Sequence, residues 1–181
     1  MVSKKLEKEA EFLSQISSPI PQFFKDVMSL YGVDLPLYLV PQAIIWQFTD
    51  EDAVGHFWVD KTVLPHKPLG ILIANDEWQV KYKNPHLARL KALLHEIGHY
   101  LFHEEAMKFF ATLQRRRPST ASWYAKMGIE NRIEKWVKDQ WRELKRYVNA
   151  KRNNWKKGMS FKQIREEFKY DHDRYRTLFQ I

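Results

Sequence analysis

The sequence predicts an α+β fold, in which a small antiparallel β-sheet packs against one long helix and a mainly helical C-terminal half follows. Short apolar runs separated by prolines and acidic turns begin at Leu35 and predict strands. A stripe of apolar residues at steps of three and four then predicts a helix that carries the pattern HExxH. A second long helical pattern follows from about Ile129.

The chain has 181 residues, which suits one domain with an extension. We assign residues 1–150 to that domain and residues 151–181 to a basic helical C-terminal extension. The sequence contains no cysteine, so disulfides, zinc–thiolate clusters and cysteine nucleophiles are excluded. It also lacks a signal peptide and any apolar run of the roughly 18 residues that a membrane span needs. We therefore expect a cytoplasmic protein without membrane contact.

Within the domain, residues 1–34 are predicted to form helices that precede the sheet. The first spans residues 3–16 and the second residues 21–31, ending near Gly32, with a Ser-Pro-Ile-Pro break between them. The sheet and the HExxH helices are assigned to residues 35–150. Three or four antiparallel strands are expected from the runs LYLV, AIIWQF, AVGHFWVD and LGILIAND.

The central helix is predicted to begin with Asn84 as its N-cap and Pro85 at its first helical position. Its buried face is the stripe formed by Leu87, Leu90, Leu94, Ile97 and Leu101. A polar connection containing RRRPSTAS follows, and the next helix runs from about Ile129 to Val148. The tail is predicted to contain two short helices, the first of which opens at Ser160.

The HExxH pattern consists of His95, Glu96 and His99. Residues four apart on a helix lie on one face with Cβ atoms about 5–6 Å apart, so both histidines can bind one metal ion. Glu96 is rotated about 100° from His95 and is placed to act as a general base on a bound water. Gly98 interrupts the helix at a cost of about 1 kcal/mol relative to Ala, which suggests close approach of another backbone or of a substrate. The alternative is an ordinary amphipathic helix with surface histidines.

A catalytic zinc site usually needs a third protein ligand. His103 stands two turns above His95, about 12 Å along the helix axis, and is out of reach of the same ion. Glu130, on the next long helix, is the better candidate, and Glu134 one turn further suits a group that fixes the free ring nitrogen of a histidine. The alternative is that both acids are surface carboxylates paired with Lys135, Lys138 or Arg132.

Three runs, GILIANDEW, ALLHEIGHYLFH and ENRIEKWV, resemble the ImmA/IrrE family of zinc-dependent metallopeptidases. The resemblance covers roughly residues 35–145. The chain departs from the family pattern in its long interval between His99 and Glu130. Further along, Ile133 and Val137 stand where the family has small alanines, and Glu134 stands where it has Asp or Asn. The matching positions are Asn75, His95, Glu96, Gly98, His99, His103, Glu130, Arg132 and Trp136.

The resemblance implies a zinc metallopeptidase that hydrolyses a peptide bond in a protein substrate. It implies Zn²⁺ held by His95, His99 and Glu130, with Glu96 as the catalytic residue that takes a proton from water and passes it to the leaving amine. Members of the family often cleave a helix-turn-helix repressor, which connects them with stress responses and with phage or mobile-element regulation. The strand GHFWVD is our candidate edge for an extended substrate.

Charge suggests a second partner. Residues 108–169 carry 18 Lys and Arg against 6 Asp and Glu, whereas residues 1–107 carry 10 against 14. Such a basic half suits nucleic acid or an acidic protein face, and a solvated lysine-rich helical surface explains it equally well. The alternative function is a nucleic-acid-binding or protein-binding module that uses the basic C-terminal helices and has a non-catalytic metal site.

Overall fold

The protein combines helices with a small mixed sheet and is mostly helical. The computed structural model describes residues 4–49, 53–75, 85–116 and 121–150. In these ranges the elements are α1 (Lys4–Ile16), α2 (Gln22–Leu30), β1 (Leu37–Val40), α3 (Gln42–Ile45), β2 (Gly55–Asp60), β3 (Lys67–Ala74), α4 (Pro85–Leu101), α5 (His103–Arg116) and α6 (Ala121–Ala150). None of the helices in these ranges has the length and apolar character that crossing a bilayer requires.

The two N-terminal helices are confirmed, with bounds within one residue of those predicted. The segment between them also contacts the sheet. Ser18 donates its backbone N–H to the carbonyl oxygen of Leu39 over 2.8 Å, and the hydroxyl of Ser17 accepts the N–H of Leu39 over 3.0 Å. Gly32 follows α2 with φ 65°, the left-handed conformation that commonly ends a helix. These contacts hold α1 and α2 against β1.

The sheet has the strand order β1-β3-β2. β2 and β3 pair in the antiparallel sense as predicted, but β1 and β3 are parallel, so the expectation of a wholly antiparallel sheet is wrong for that pair. The cause is the connection. Residues 41–66 include α3 and β2 and are long enough to bring the chain back to the start of β1, so that β3 runs beside it in the same direction. β3 is therefore the central strand, and Ile71 to Ala74 are completely buried.

The run AIIWQF does not form a strand. Gln42–Ile45 is a short helix that starts after Pro41, and its buried residues are Gln42 and Ile45, three apart as on one helix face. The amide of Gln42 donates to the carbonyl oxygen of Ala53 over 3.1 Å. Branched and aromatic residues favour strands in isolation, but here tertiary contacts of one helical turn override that preference.

The central helix α4 begins at Pro85 as predicted, while Asn84 lies outside the described residues. Leu90, Leu94 and Ile97 are buried, whereas Leu101 is 42% exposed. The side chain of Leu87 is not among those described. α4 contacts β2 and β3 and also α6, so Ala92 and Leu93, outside the predicted stripe, are buried as well.

The segment after residue 103 is a helix rather than the polar connection we expected. α5 has no fully buried residue, but its half-buried Met107, Phe110 and Leu113 recur at steps of three, a helical signal that the prediction of a polar connection missed. α6 begins at Ala121, earlier than the predicted Ile129, and buries Ile133, Val137 and Trp141 as expected. The proposed extension, residues 151–181, lies outside the described residues, and so does the helix expected from Ser160.

Candidate metal site

Two helices bring together the three predicted ligands. His95 and His99 lie on successive turns of α4, and Glu130 reaches them from α6. Nε2 of His95 is 3.1 Å from Oε2 of Glu130, and Nε2 of His99 is 3.3 Å from Oε1 of the same carboxylate. One ligand atom from each residue lies within 4.8 Å of the other two. Each histidine thus faces one oxygen of a single carboxylate.

These separations suit a bound metal ion. Ligand atoms that are each about 2.0–2.2 Å from one tetrahedral zinc lie about 3.3–3.5 Å from one another. Each His–Glu distance is close to this value, with the two histidines facing different oxygens of Glu130. Two imidazole nitrogens and one carboxylate oxygen are also a donor set that catalytic zinc sites use. The residues present could therefore hold a metal ion.

Close packing of α6 on α4 makes the third ligand available. A Cβ atom added to Gly98 would lie 2.8 Å from Cγ2 of Ile133 and 3.3 Å from a ring carbon of Trp136. We expected a backbone or a substrate at this glycine; the neighbours are instead two side chains of α6. Because Gly98 lies between the helical turns of His95 and His99, its missing side chain lets α6 approach where Glu130 is needed.

Gly98→Ala is therefore expected to destabilise the fold by about 1–2 kcal/mol, because overpacking outweighs the better helix propensity of alanine. Ile133→Ala should reverse part of this loss, so the double variant should be more stable than the sum of the single effects. Chemical denaturation of all three variants measures both effects. Gly128→Ala on α6, where a Cβ would meet only the ring of the exposed Phe109, is the matched control and should be neutral or stabilising. A Gly98→Ala protein as stable as the wild type would contradict the packing account.

His95 and Glu130 form a charge-assisted pair. Burial tends to lower the pKa of His95, but the hydrogen bond with Glu130 and the charges of nearby carboxylates raise it overall. Burial tends to raise the pKa of Glu130, but hydrogen bonds with His95 and His99 bring it well below its usual range. A cation is favoured at this position, whether it is a proton or a metal ion.

Glu96 belongs to α4, and its side chain lies beside the ligands in the space between α4 and β2. Its side chain is almost fully buried, and burial raises its pKa although the charges of His99 and His95 act in the opposite sense. The backbone N–H of Phe57 donates a hydrogen bond to its carboxylate. A Cβ atom on Gly55 would lie 2.7 Å from Oε1 of Glu96, so the absence of a side chain at Gly55 makes room for the carboxylate.

The register of β2 explains this contact. Val54 accepts a hydrogen bond from Ala74 of β3, and the backbone groups of an antiparallel strand alternate in direction. Gly55 and Phe57, which lie opposite Ile73 and Ile71, therefore point their backbone N–H and C=O groups away from β3. Glu96 meets Phe57 at this outer edge of β2, which no further strand pairs with in the described part of the chain.

Two further residues of the sequence pattern have other partners. Nε2 of His103 donates to the carbonyl oxygen of His66 over 2.5 Å, and His103 is not in the ligand group, as predicted. Arg132 forms an ion pair with Glu105 of α5 and lies over the ring of Phe102 at 4.8 Å. Arg132 therefore pairs with Glu105, and Glu130 faces the two histidines instead of pairing with Arg132.

Glu134 lies one turn beyond Glu130 on α6 and acts on His95 through its charge. Its predicted role in fixing a histidine nitrogen stays a prediction. Lys91 of α4 is buried, and its pKa is lowered to about 8, chiefly by burial and further by the charge of Lys138. The charge of Glu134 acts in the opposite sense and raises this pKa. Sequence reasoning missed Lys91, since a lysine on an amphipathic helix is ordinarily exposed.

His56 of β2 gives the protein a predictable acid sensitivity. Burial, with smaller effects from the charges of Lys61 and His99, lowers its pKa from 6.5 to about 4. The folded state therefore binds a proton at His56 less well than the unfolded state does. The stability that neutral His56 contributes is fully present above pH 6.5 and is lost as pH falls toward 4. One pKa unit corresponds to about 1.4 kcal/mol, so the loss from this residue should approach about 3 kcal/mol.

Denaturant unfolding of the wild type and of His56→Gln at pH 7 and pH 4.5 tests this expectation. The wild type should lose more stability than the variant over this interval. Equal losses would show that other groups cause the acid sensitivity.

Comparison with protein-family models, with curated proteins and with solved structures finds no match for this chain.

Proposed function

We propose that this protein is a zinc-dependent metallopeptidase, similar to the ImmA/IrrE family, that hydrolyses a peptide bond in a protein substrate. The observation that carries the proposal is the position of Glu130. A residue 31 positions beyond His99 lies 3.1 and 3.3 Å from the two histidine nitrogens, where a third ligand is needed. An ordinary amphipathic helix with surface histidines gives no reason for this convergence.

A catalytic site is favoured over a structural one. Structural zinc sites usually have four protein ligands, whereas catalytic sites have three and an open position. Among the residues that the structure describes, no fourth His, Cys, Asp or Glu donor joins the group. Zinc bound there would supply Lewis acidity, which brings the pKa of water to about 7 and polarises a carbonyl group.

Glu96 would supply the proton transfers. Its carboxylate takes a proton from the attacking water as the oxygen of that water bonds to the peptide carbon. The same proton then passes to the amine nitrogen as the C–N bond breaks, so that one water is consumed and two chain ends are formed. The raised pKa of Glu96 suits this role, because a general base works best with a pKa near the working pH. Its hydrogen bond from Phe57 and the space at Gly55 support its orientation.

The outer edge of β2 supports an extended protein substrate. The outward N–H and C=O groups of Gly55 and the outward C=O group of Phe57 offer hydrogen bonds to a peptide strand laid along this edge, while the N–H of Phe57 is used by Glu96. Glu96 lies at the same edge, so a strand bound there would bring its peptide bonds close to the proposed base. A helix-turn-helix repressor is the substrate class suggested by the family resemblance, and the basic half of the chain suits a target near DNA.

Digestion of a proteome-derived peptide library, read by mass spectrometry, tests the proposal. The zinc-loaded protein should cleave a defined set of peptides, and a chelator should stop cleavage until zinc is restored. Purified helix-turn-helix repressors form the second substrate panel. Hydrolysis that survives removal of the metal would contradict the proposal, as would the absence of cleavage in both panels.

A further inference from the structure

The orientation of His99 needs a physical cause. A metal-binding histidine usually donates its second ring N–H to a carboxylate, carbonyl or water, which holds the imidazole in place. In His99, Nε2 faces Glu130, which leaves Nδ1 for this role. The described residues surround this imidazole with the rings of Phe57 and His95, so packing contributes to its orientation.

Phe57 of β2 provides that packing. Its ring is parallel to the His99 imidazole, with an interplanar angle of 6° and a centroid distance of 6.2 Å. The His95 ring lies against His99 at 4.9 Å and 72°, so the two neighbours restrict the imidazole in different directions. Turning the ring out of the plane parallel to Phe57 would carry Nε2 away from Glu130.

Phe57 is itself well fixed. It lies opposite Ile71 in the β2–β3 pairing, and its backbone N–H donates to Glu96. Its ring also makes edge contacts with His103 at 5.5 Å and with Tyr100 at 6.4 Å. A residue held by the sheet on one side and by two rings of the α4–α5 segment on the other can transmit that rigidity to His99.

We propose that Phe57 is a positioning residue, which holds the His99 imidazole in the orientation that binds metal. This inference rests on the proposed function, because it concerns the same three ligands. It adds that the edge strand β2 determines the affinity of the site as well as offering an edge to a substrate. The groups around metal ligands commonly contribute 10–100-fold to metal affinity, and we expect an effect near the lower end of about tenfold.

The test uses Co²⁺ and Zn²⁺ as probes, since Co²⁺ reports coordination geometry through its visible absorption. Affinities are measured by competition with a chromophoric chelator for the wild type, Phe57→Leu, Phe57→Met and Phe57→Tyr. Phe57→Leu and Phe57→Met should bind about tenfold more weakly and show an altered cobalt spectrum. Phe57→Tyr keeps the ring and should retain the wild-type affinity and spectrum.

Phe48→Leu is the matched control, because Phe48 contacts the rings of His56 and Trp58 and makes no ring contact with His99. It should bind metal like the wild type. Phe57→Met has an unbranched, flexible side chain that adapts to irregular space better than leucine, and it decides the matter if Phe57→Leu does not fold by circular dichroism. If both non-aromatic variants kept the wild-type affinity and spectrum, the role of Phe57 would be overturned while the metal site would stand. The same conclusion would follow if Phe48→Leu weakened metal binding as much as the Phe57 variants do. A wild type that binds neither ion would overturn the metal site and this inference together.

Discussion

Glu96→Gln is expected to abolish peptide hydrolysis and to leave metal binding unchanged. Glutamine has nearly the same shape and can still accept the Phe57 N–H, but it cannot take a proton from water. Glu96 is also outside the ligand group, so the donor set for the metal stays complete. Loss of a general base typically costs about 10²–10⁴-fold in rate, which is among the largest effects that one atom change can have here.

Cleavage rates and bound zinc are to be measured on the same preparation of the variant. Glu104→Gln, on the first turn of α5 and exposed, is a control for the change of charge. Hydrolysis by Glu96→Gln at the wild-type rate would remove Glu96 from the mechanism. Loss of its zinc would mean that Glu96 belongs to the metal site rather than to proton transfer.

Glu130→Ala is expected to weaken zinc binding by more than about 100-fold, since a direct ligand should matter more than the surrounding groups that contribute 10–100-fold. The variant loses the carboxylate that faces both histidines, and no other acid in the described ranges joins the group. Competition titration with a zinc chelator measures the change.

Glu134→Ala is a demanding control for this experiment. It removes the same side chain from the same helix, one turn away, and Glu134 acts on His95 through its charge. Its effect should be at most about tenfold, at the lower end for groups around a metal site. Equal losses in Glu130→Ala and Glu134→Ala would show that the negative charge of α6, rather than a specific ligand, holds the ion.

The candidate ligands could be predicted because they depend on local spacing. Two histidines four apart on a helix share a face whatever the rest of the fold does, so His95 and His99 followed from the pattern alone. Glu130 needed the helical pattern of the following segment and the family resemblance. Spacing alone left open whether Glu130 is a ligand or a surface carboxylate. Its position in the group with His95 and His99 agrees with a ligand.

Other features depend on tertiary contacts that the sequence does not reveal. Gly55 and Phe57 matter only because the register of β2 brings them to α4, and no local pattern specifies that register. The parallel pairing of β1 and β3 was missed for a similar reason: the intervening chain is long enough to run in either direction, and apolar runs do not record which strand is central. α5 is an exception, because its half-buried Met107, Phe110 and Leu113 lie three apart and the helix could have been predicted from them.

The central claim is a metal site built from His95, His99 and Glu130. Its most direct test is the metal content of the untagged protein by elemental mass spectrometry, beside the His95→Ala/His99→Ala double variant. We expect about one zinc ion per wild-type chain and none in the double variant, since the site loses both of its imidazole ligands. A wild-type chain that holds no metal after zinc is supplied and the excess removed would contradict the account, and so would a double variant that keeps its zinc.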